Sequence, residues 1–308
     1  MKPTVRRYNH DFDFGKVGQF LIKTYRTSGE HINWLQPRWE YMHYHPLIRD
    51  VDLGSIGVWE AGGEIVGVVH PEHIPGEAYF QIDPAYTESK IDLKREMLAF
   101  AEESICVSGN GGTFLFLYIS DWDREFQKCA AEKGYEKQDK GALGQAGFMP
   151  LTQFVIPKRF PAITVPDGFH LQSLEDDNDL EKLHRVLWRG FNHGDNPPDE
   201  GIEERRFMQS APNYKKNLNI VVKAPNHEFV SYCGMWYEPT HRVAMVEPVA
   251  TDPDYRRMGL ASAAVLEGIR RCGRLGATVA FVGSGQPLYL SIGFKPIYSC
   301  SVWKREWI

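Results

Sequence analysis

The sequence is poor in cysteine, and none of its cysteines form a C-x-x-C pair. The five, Cys106, Cys129, Cys233, Cys272 and Cys300, are odd in number. They read as reduced structural thiols of a cytoplasmic protein rather than as a disulfide framework. A nucleophilic cysteine is the sharper alternative, but most of the five sit in apolar stretches, where a thiol packs as a small hydrophobe. No apolar run is long enough to span a bilayer. Residues 1–10 carry Lys2, Arg6 and Arg7 without an apolar core, so no signal peptide is expected. Positive charge is not in excess: 35 Lys and Arg stand against 40 Asp and Glu, a net −5. That balance provides no basic field for nucleic acid. Neither G-x-x-x-x-G-K-[ST] nor a helix-opening G-x-G-x-x-G occurs, which removes two nucleotide-binding motifs. No His/Cys/Asp cluster has metal-ligand spacing, so no metal is expected.

What is present suits a folded protein. The chain has 308 residues, 43% hydrophobic and 24% charged, enough for two globular domains. Its order looks duplicated, with a proline-bearing linker over residues 158–168. Each half opens with a short strand (residues 5–8 and 169–174) and an amphipathic helix. The apolar positions Phe14, Val17, Leu21 and Leu180, Leu183, Leu187 share the spacing of one helix face. A strand, turn and strand follow, over residues 55–70 and 219–237, with Gly62-Gly63 and Pro225-Asn226 as turn signals. A third strand then ends in a shared phrase, Asp83-Pro84-Ala85-Tyr86 and Asp252-Pro253-Asp254-Tyr255. Next come a helix (residues 91–105 and 260–275) and an apolar strand (residues 113–119 and 278–282). Each half closes on a glycine-aromatic pair, Gly134-Tyr135 and Gly293-Phe294. Two domains are expected, residues 1–157 and 166–308.

The informative segment runs from Val243 through Thr251 to Ala261. A loop entering a helix offers unpaired N–H groups and the positive end of the helix dipole, so it holds anions. Gly259 lets the main chain approach a phosphate, Ala261 keeps the helix start open, and Arg256 and Arg257 bring cations. Ala261, Ala264, Val265, Gly268, Ile269 and Cys272 read as the helix stripe that faces a sheet, with Gly276 as its stop. Pro248 inside a strand signals a bulge or an edge.

Arg256-Arg257-Met258-Gly259-Leu260-Ala261, with the strand before it, the helix after it and Tyr289-x-x-x-Gly293-Phe294 further on, resembles the GNAT superfamily of N-acetyltransferases. The clear resemblance covers residues 219–298. It implies an α/β (α+β) fold of two GNAT-like lobes, each a mixed, mostly antiparallel twisted sheet flanked by helices. It implies acetyl-CoA as co-substrate, held by Val249, Ala250 and Thr251 on the strand and by Arg256, Arg257, Met258, Gly259, Leu260, Ala261 and Ser262 at the loop. Tyr289 matches the family's general acid, and a core tyrosine is the alternative. Glu247, two residues before Val249, reads equally as a base or as a cleft-rim carboxylate. His193, Asp195 and His241 are weaker candidates. The lead-in to Tyr289, Gly283-Ser284-Gly285-Gln286, is shorter and richer in glycine than the family's.

The first lobe departs from the pattern. Thr87, Lys90 and Asp92 stand where Arg256, Gly259 and Ala261 stand in the second, and Ala130 replaces Tyr289. That lobe is expected to shape the cleft or support the fold. The aromatic segment of residues 34–45 reads as a substrate wall or as packing between lobes. The function expected is acetyl transfer to a primary amine of a small molecule, less readily a peptide, by a monomer or homodimer. A non-catalytic acyl-CoA-binding or regulatory module is the alternative. No nucleic-acid or membrane partner is expected.

Overall fold

The computed structural model describes residues 2–25, 33–86, 90–109, 112–140 and 148–307. Its chain begins β1 (Thr4–Arg7), α1 (His10–Thr24), α2 (Gln36–Tyr44), β2 (Gly57–Ala61), β3 (Glu64–His70), β4 (Glu77–Ile82), α3 (Lys90–Ser104), β5 (Val107–Gly109), β6 (Gly112–Ser120), α4 (Arg124–Glu132) and β7 (Glu136–Lys137). It continues β8 (Phe148–Val155), β9 (His170–Ser173), α5 (Leu180–Gly190), α6 (Gly201–Gln209), β10 (Ile220–Lys223), β11 (Phe229–Glu238), β12 (Val243–Thr251), α7 (Leu260–Arg274), β13 (Val279–Val282), α8 (Pro287–Ser291) and β14 (Lys295–Trp307). No helix among the described residues is long and apolar enough to cross a membrane.

Two compact units divide the chain. The first holds Met1–Met42, Leu47–Pro150 and Tyr298–Ile308; the second holds His43–Pro46 and Leu151–Ile297. Each is a mostly antiparallel sheet with one parallel pair, flanked by helices. The first unit runs β1-β2-β3-β4-β6-β14, with β4 and β6 parallel. The second runs β9-β10-β11-β12-β13-β8, with β12 and β13 parallel. This division differs from the boundary expected at residues 157 and 166. β8, which follows the first half in sequence, pairs with β13. β14, which follows the second, pairs with β6 over Cys300 to Trp307. A sheet edge accepts any strand with free N–H and C=O groups, so pairing need not respect sequence order.

The duplication reaches individual hydrogen bonds. Asp83 and Asp252 each donate their amide to the neighbouring strand, to Val66 O and Val230 O, both at 3.0 Å. Each then accepts the amide of the residue two ahead on its side chain, Ala85 at 2.8 Å and Asp254 at 3.1 Å. The closing turns match as well. Tyr135 N–H reaches Ala130 O and Phe294 N–H reaches Tyr289 O, each at 3.0 Å. Gly134 and Gly293 both take positive φ, a conformation open to glycine at little cost.

Alternation along the second unit's strands sorts its core into two faces. Ile220, Val222, Cys233, Met235, Ala244 and Val246 pack with Ala264, Val265, Ile269 and Cys272 of α7. Val221, Tyr232 and Ala250 turn the other way, against Leu183, Val186 and Leu187 of α5. Ala261 lies half-exposed at the start of α7, so it leaves the expected stripe, which Leu260 and Ala263 join instead. The expected stop holds: Gly276 has φ 106° and Ala277 N–H bonds Cys272 O at 3.0 Å. In the first unit, Trp34, Trp39, Tyr41 and Met42 of the aromatic segment are buried. Trp39 donates its Nε1 to Phe14 O at 3.1 Å, and Trp34 packs edge-on against His70 and Tyr79. These residues are core of that unit.

Candidate active site

Beyond β12 the second unit turns through Pro253–Tyr255, a short 3-10 turn capped by the Asp252 side chain. Arg257 (φ 63°) and Gly259 (φ 79°) then take left-handed conformations before α7 begins. Helix geometry leaves the first amides of α7, on Leu260, Ala261 and Ser262, without intrahelical acceptors. No side chain caps them, since the N-cap is Gly259 itself. A Cβ built on Gly259 would meet nothing within 4 Å, so the space beside the loop is open. Uncapped amides, a helix dipole and open space together suit an anion of diphosphate size. Arg257 and Met258 are exposed beside it. Arg256 is engaged elsewhere: its guanidinium donates to Thr251 O at 3.2 Å and to Gly190 O and Asn192 Oδ1, both at 2.9 Å. It ties the loop to the end of α5, which leaves Arg257 as the loop arginine without such a tie.

The strand leading to this loop has an open edge. β12 pairs with β13 only over Val243, Ala244 and Met245. Pro248 marks the bulge expected of it: the register with β11 shifts between Cys233 and Met235, setting Glu247 and Pro248 opposite Gly234 alone. The Glu247–Pro248 peptide is cis. Gly234 is required there, because a Cβ on it would lie 2.5 Å from Glu247 O. Past the bulge, the Asp252 amide faces β11. Strand alternation directs Ala250 the same way and turns the main chains of Val249 and Thr251 toward the unpaired edge.

Tyr289 and Glu247 belong to the same neighbourhood. Tyr289 is buried in the α7-side core, with Phe294 packed edge-on at 5.7 Å. Burial pushes its phenol well above the ordinary value, and the charge of Glu247, then Cys233, adds to the rise. The phenol therefore keeps its proton across the neutral range. Glu247 is half-buried, and its main-chain carbonyl accepts Trp236 Nε1 at 3.0 Å. The other candidates have structural settings. Asp195 pairs with Arg189, His241 N–H bonds Glu238 Oε2 at 2.9 Å, and His193 packs 5.1 Å from Trp188. Burial raises the thiols of Cys233 and Cys272, the latter to about 12, as fits inert core groups.

Residues 180–294 match the acetyltransferase (GNAT) family. Among solved structures, a GCN5-related N-acetyltransferase from Sphaerobacter thermophilus is 14% identical, with 99% of this chain and 95% of that chain covered and a TM-score of 0.65. A tandem GNAT protein from the clavulanic acid biosynthesis pathway is 13% identical, with 99% and 98% covered and a TM-score of 0.63. Residues 180–294, most of the second unit, thus form a GNAT family domain. An N-myristoyltransferase from Saccharomyces cerevisiae, with myristoyl-CoA bound, is similar at 10% identity, 98% and 78% coverage and a TM-score of 0.55. No curated relative matches the chain in sequence. At these identities the likeness is one of fold, and the fold is the two-lobed GNAT arrangement.

The first unit keeps the architecture and carries other residues at the matching positions. Lys90 and Asp92 open α3, and Ala130 is fully buried where the second unit has Tyr289. Thr87 lies outside the described residues. Sequence reasoning missed Arg189, Gly234 and Trp236. Arg189 meets Asp252 across 63 residues of chain, which no local spacing reveals. The shared Asp-Pro phrase was the visible half of that contact.

Proposed function

We propose that the second unit transfers an acetyl group from acetyl-CoA directly to a primary amine of a small molecule. The observation that carries this is the loop at Gly259: open space, left-handed backbone and uncapped helix amides at the end of an unpaired strand edge. Relatives add support, since the yeast enzyme is named with myristoyl-CoA bound. The amides of residues 257–262 and the side chain of Arg257 would hold the diphosphate. Val249 and Thr251 would pair with the amide-bearing arm of the coenzyme as a further strand does.

The proton balance needs two groups. Amines have a pKa of about 10, so the acceptor must lose a proton before it attacks the thioester. Glu247 takes it, directly or through one water. The new C–N bond forms as the C–S bond breaks, Tyr289 gives its proton to the departing sulfur, and the second proton shed by the acylated nitrogen restores the Tyr289 phenol through water. A phenol already keeps its proton at neutral pH, and burial holds Tyr289 in that form. The first unit, without the tyrosine, has a supporting role in this reading.

Coenzyme A titrated into the protein by calorimetry, followed by thiol release over an amine panel, tests the proposal. Tyr289→Phe should bind the coenzyme as the wild type does and lose about 10²-fold or more in kcat. Binding without turnover on any amine would favour an acyl-CoA-binding module instead. No binding at all would remove both readings.

A further inference from the structure

We propose that Arg189 is a positioning residue for acyl-donor binding. It would preset the phosphate loop through Asp252 and Asp254 without touching the coenzyme. This rests on the reading of the loop given above.

Asp252 stands where β12 becomes the loop, and its side chain is fully buried. A buried carboxylate needs charged partners, and α5 provides two. Arg189 Nε donates to Asp252 Oδ2 at 2.7 Å, and Arg185 Nη1 donates to the same oxygen at 3.1 Å. Arg189 Nη2 reaches Asp252 Oδ1 at 3.1 Å and Asp254 Oδ2 at 2.7 Å. Arg189 Nη1 meets Asp195. All three guanidinium nitrogens are thus engaged by carboxylates. The loop's far end is tied to the same place, because Arg256 bonds Gly190 O and Asn192 Oδ1. Residues 252–256 are fastened at both ends to the C-terminus of α5, and the left-handed nest starts at the next residue.

The first unit provides an internal control. Arg189 lies two residues after Leu187, and the matching position, two after Leu21, is Lys23. Lys23 bonds Glu64 at 2.8 Å, and Asp83 only adds its charge from nearby. Asp83 keeps its turn to Ala85, but the arginine clamp is found in the unit that keeps the glycine loop. Charge points the same way. Asp252 and Asp254 stand within a few residues of a site proposed for a diphosphate, and Arg185 and Arg189 neutralise them. Without Arg189 the near end of the loop would keep only Arg185 on Asp252, and Asp254 would present uncompensated negative charge to the phosphates.

The test compares two donors, acetyl-CoA and S-acetylpantetheine, which lacks the diphosphate. Arg189→Gln should raise KM for acetyl-CoA at least tenfold, with a matching loss of coenzyme A affinity by calorimetry. Its kcat should stay within about threefold, and kcat/KM for S-acetylpantetheine should not change. Arg189→Lys, which keeps the charge, should recover part of the loss. It carries the same comparison at smaller amplitude if the glutamine variant does not fold. Equal losses on both donors, or an unchanged KM for acetyl-CoA, would overturn the assignment. A wild-type protein that binds no coenzyme A would instead remove the reading beneath it.

Discussion

Glu77 shows how one side chain's surroundings set its chemistry. It is buried at the start of β4, with hydrogen bonds from the phenols of Tyr79, at 3.4 Å, and Tyr118. Burial raises its carboxyl to about 7, Glu72 adds to the rise, and Tyr118, Arg38 and Tyr79 oppose it. A folded-state pKa above the unfolded one means stability that is complete below about 4.5 and is lost as pH climbs through about 7. Glu77→Gln removes that titration. Its melting temperature relative to wild type should therefore be several degrees more favourable at pH 8 than at pH 5. A difference that is the same at both values would show that Glu77 does not carry the dependence. Asp252 has the opposite sign. Burial alone would raise its carboxyl, but the hydrogen bonds from Arg189 and the Asp254 amide, with the charges of Arg189 and Arg185, hold it below the ordinary value. Its contribution is present above about 3.9 and lost on acidification below that.

At the scale of elements, the meeting of β11 and β12 decides the shape of the proposed cleft. Gly234 leaves room for two residues opposite one, and the resulting bulge turns Glu247 out of the regular pairing. Gly234→Ala would force a carbon to within 2.5 Å of the Glu247 carbonyl oxygen, a main-chain atom that cannot rotate away. We expect a loss of about 1–3 kcal/mol of stability, read as an earlier urea midpoint, together with a drop in turnover larger than that of an exposed glycine variant such as Gly62→Ala. Unchanged stability would mean that the two strands part easily at this point. The elements themselves were legible from composition and period: α7 begins at Leu260 as read, the strand-turn-strand read over residues 55–70 is β2 and β3, and Pro248 signalled a bulge or an edge, of which the bulge is found. Arg256 was not legible. Its guanidinium chooses carbonyls on α5, and that choice depends on which helix end folding brings near.

The whole molecule adds what local sequence cannot carry. β8 and β14 show no signature that names their partners, because any bare sheet edge accepts a strand of suitable length. Their exchange means that a cut in the proline-bearing linker separates the wrong pieces. Residues 166–308 would lack β8 and carry β14 without β6. Residues 148–297 hold the complete strand set β8 to β13 of the second unit. Expressed alone, the 148–297 fragment should run as a monomer in size-exclusion chromatography with one cooperative melt, whereas 166–308 should aggregate. The reverse outcome would show that the second unit can do without β8 and draws on β14 instead.

That exchange also bears on how the chain is made. Ribosomes deliver residues in order, at about 5–20 per second, and domains tend to fold as they emerge. The second unit has its strands once Ile297 is out, but the first waits for residues up to Trp307 to cover β6. The half translated earliest is thus finished last. Throughout that interval its exposed border is the place where a nascent chain is most open to wrong partners and most in need of a chaperone.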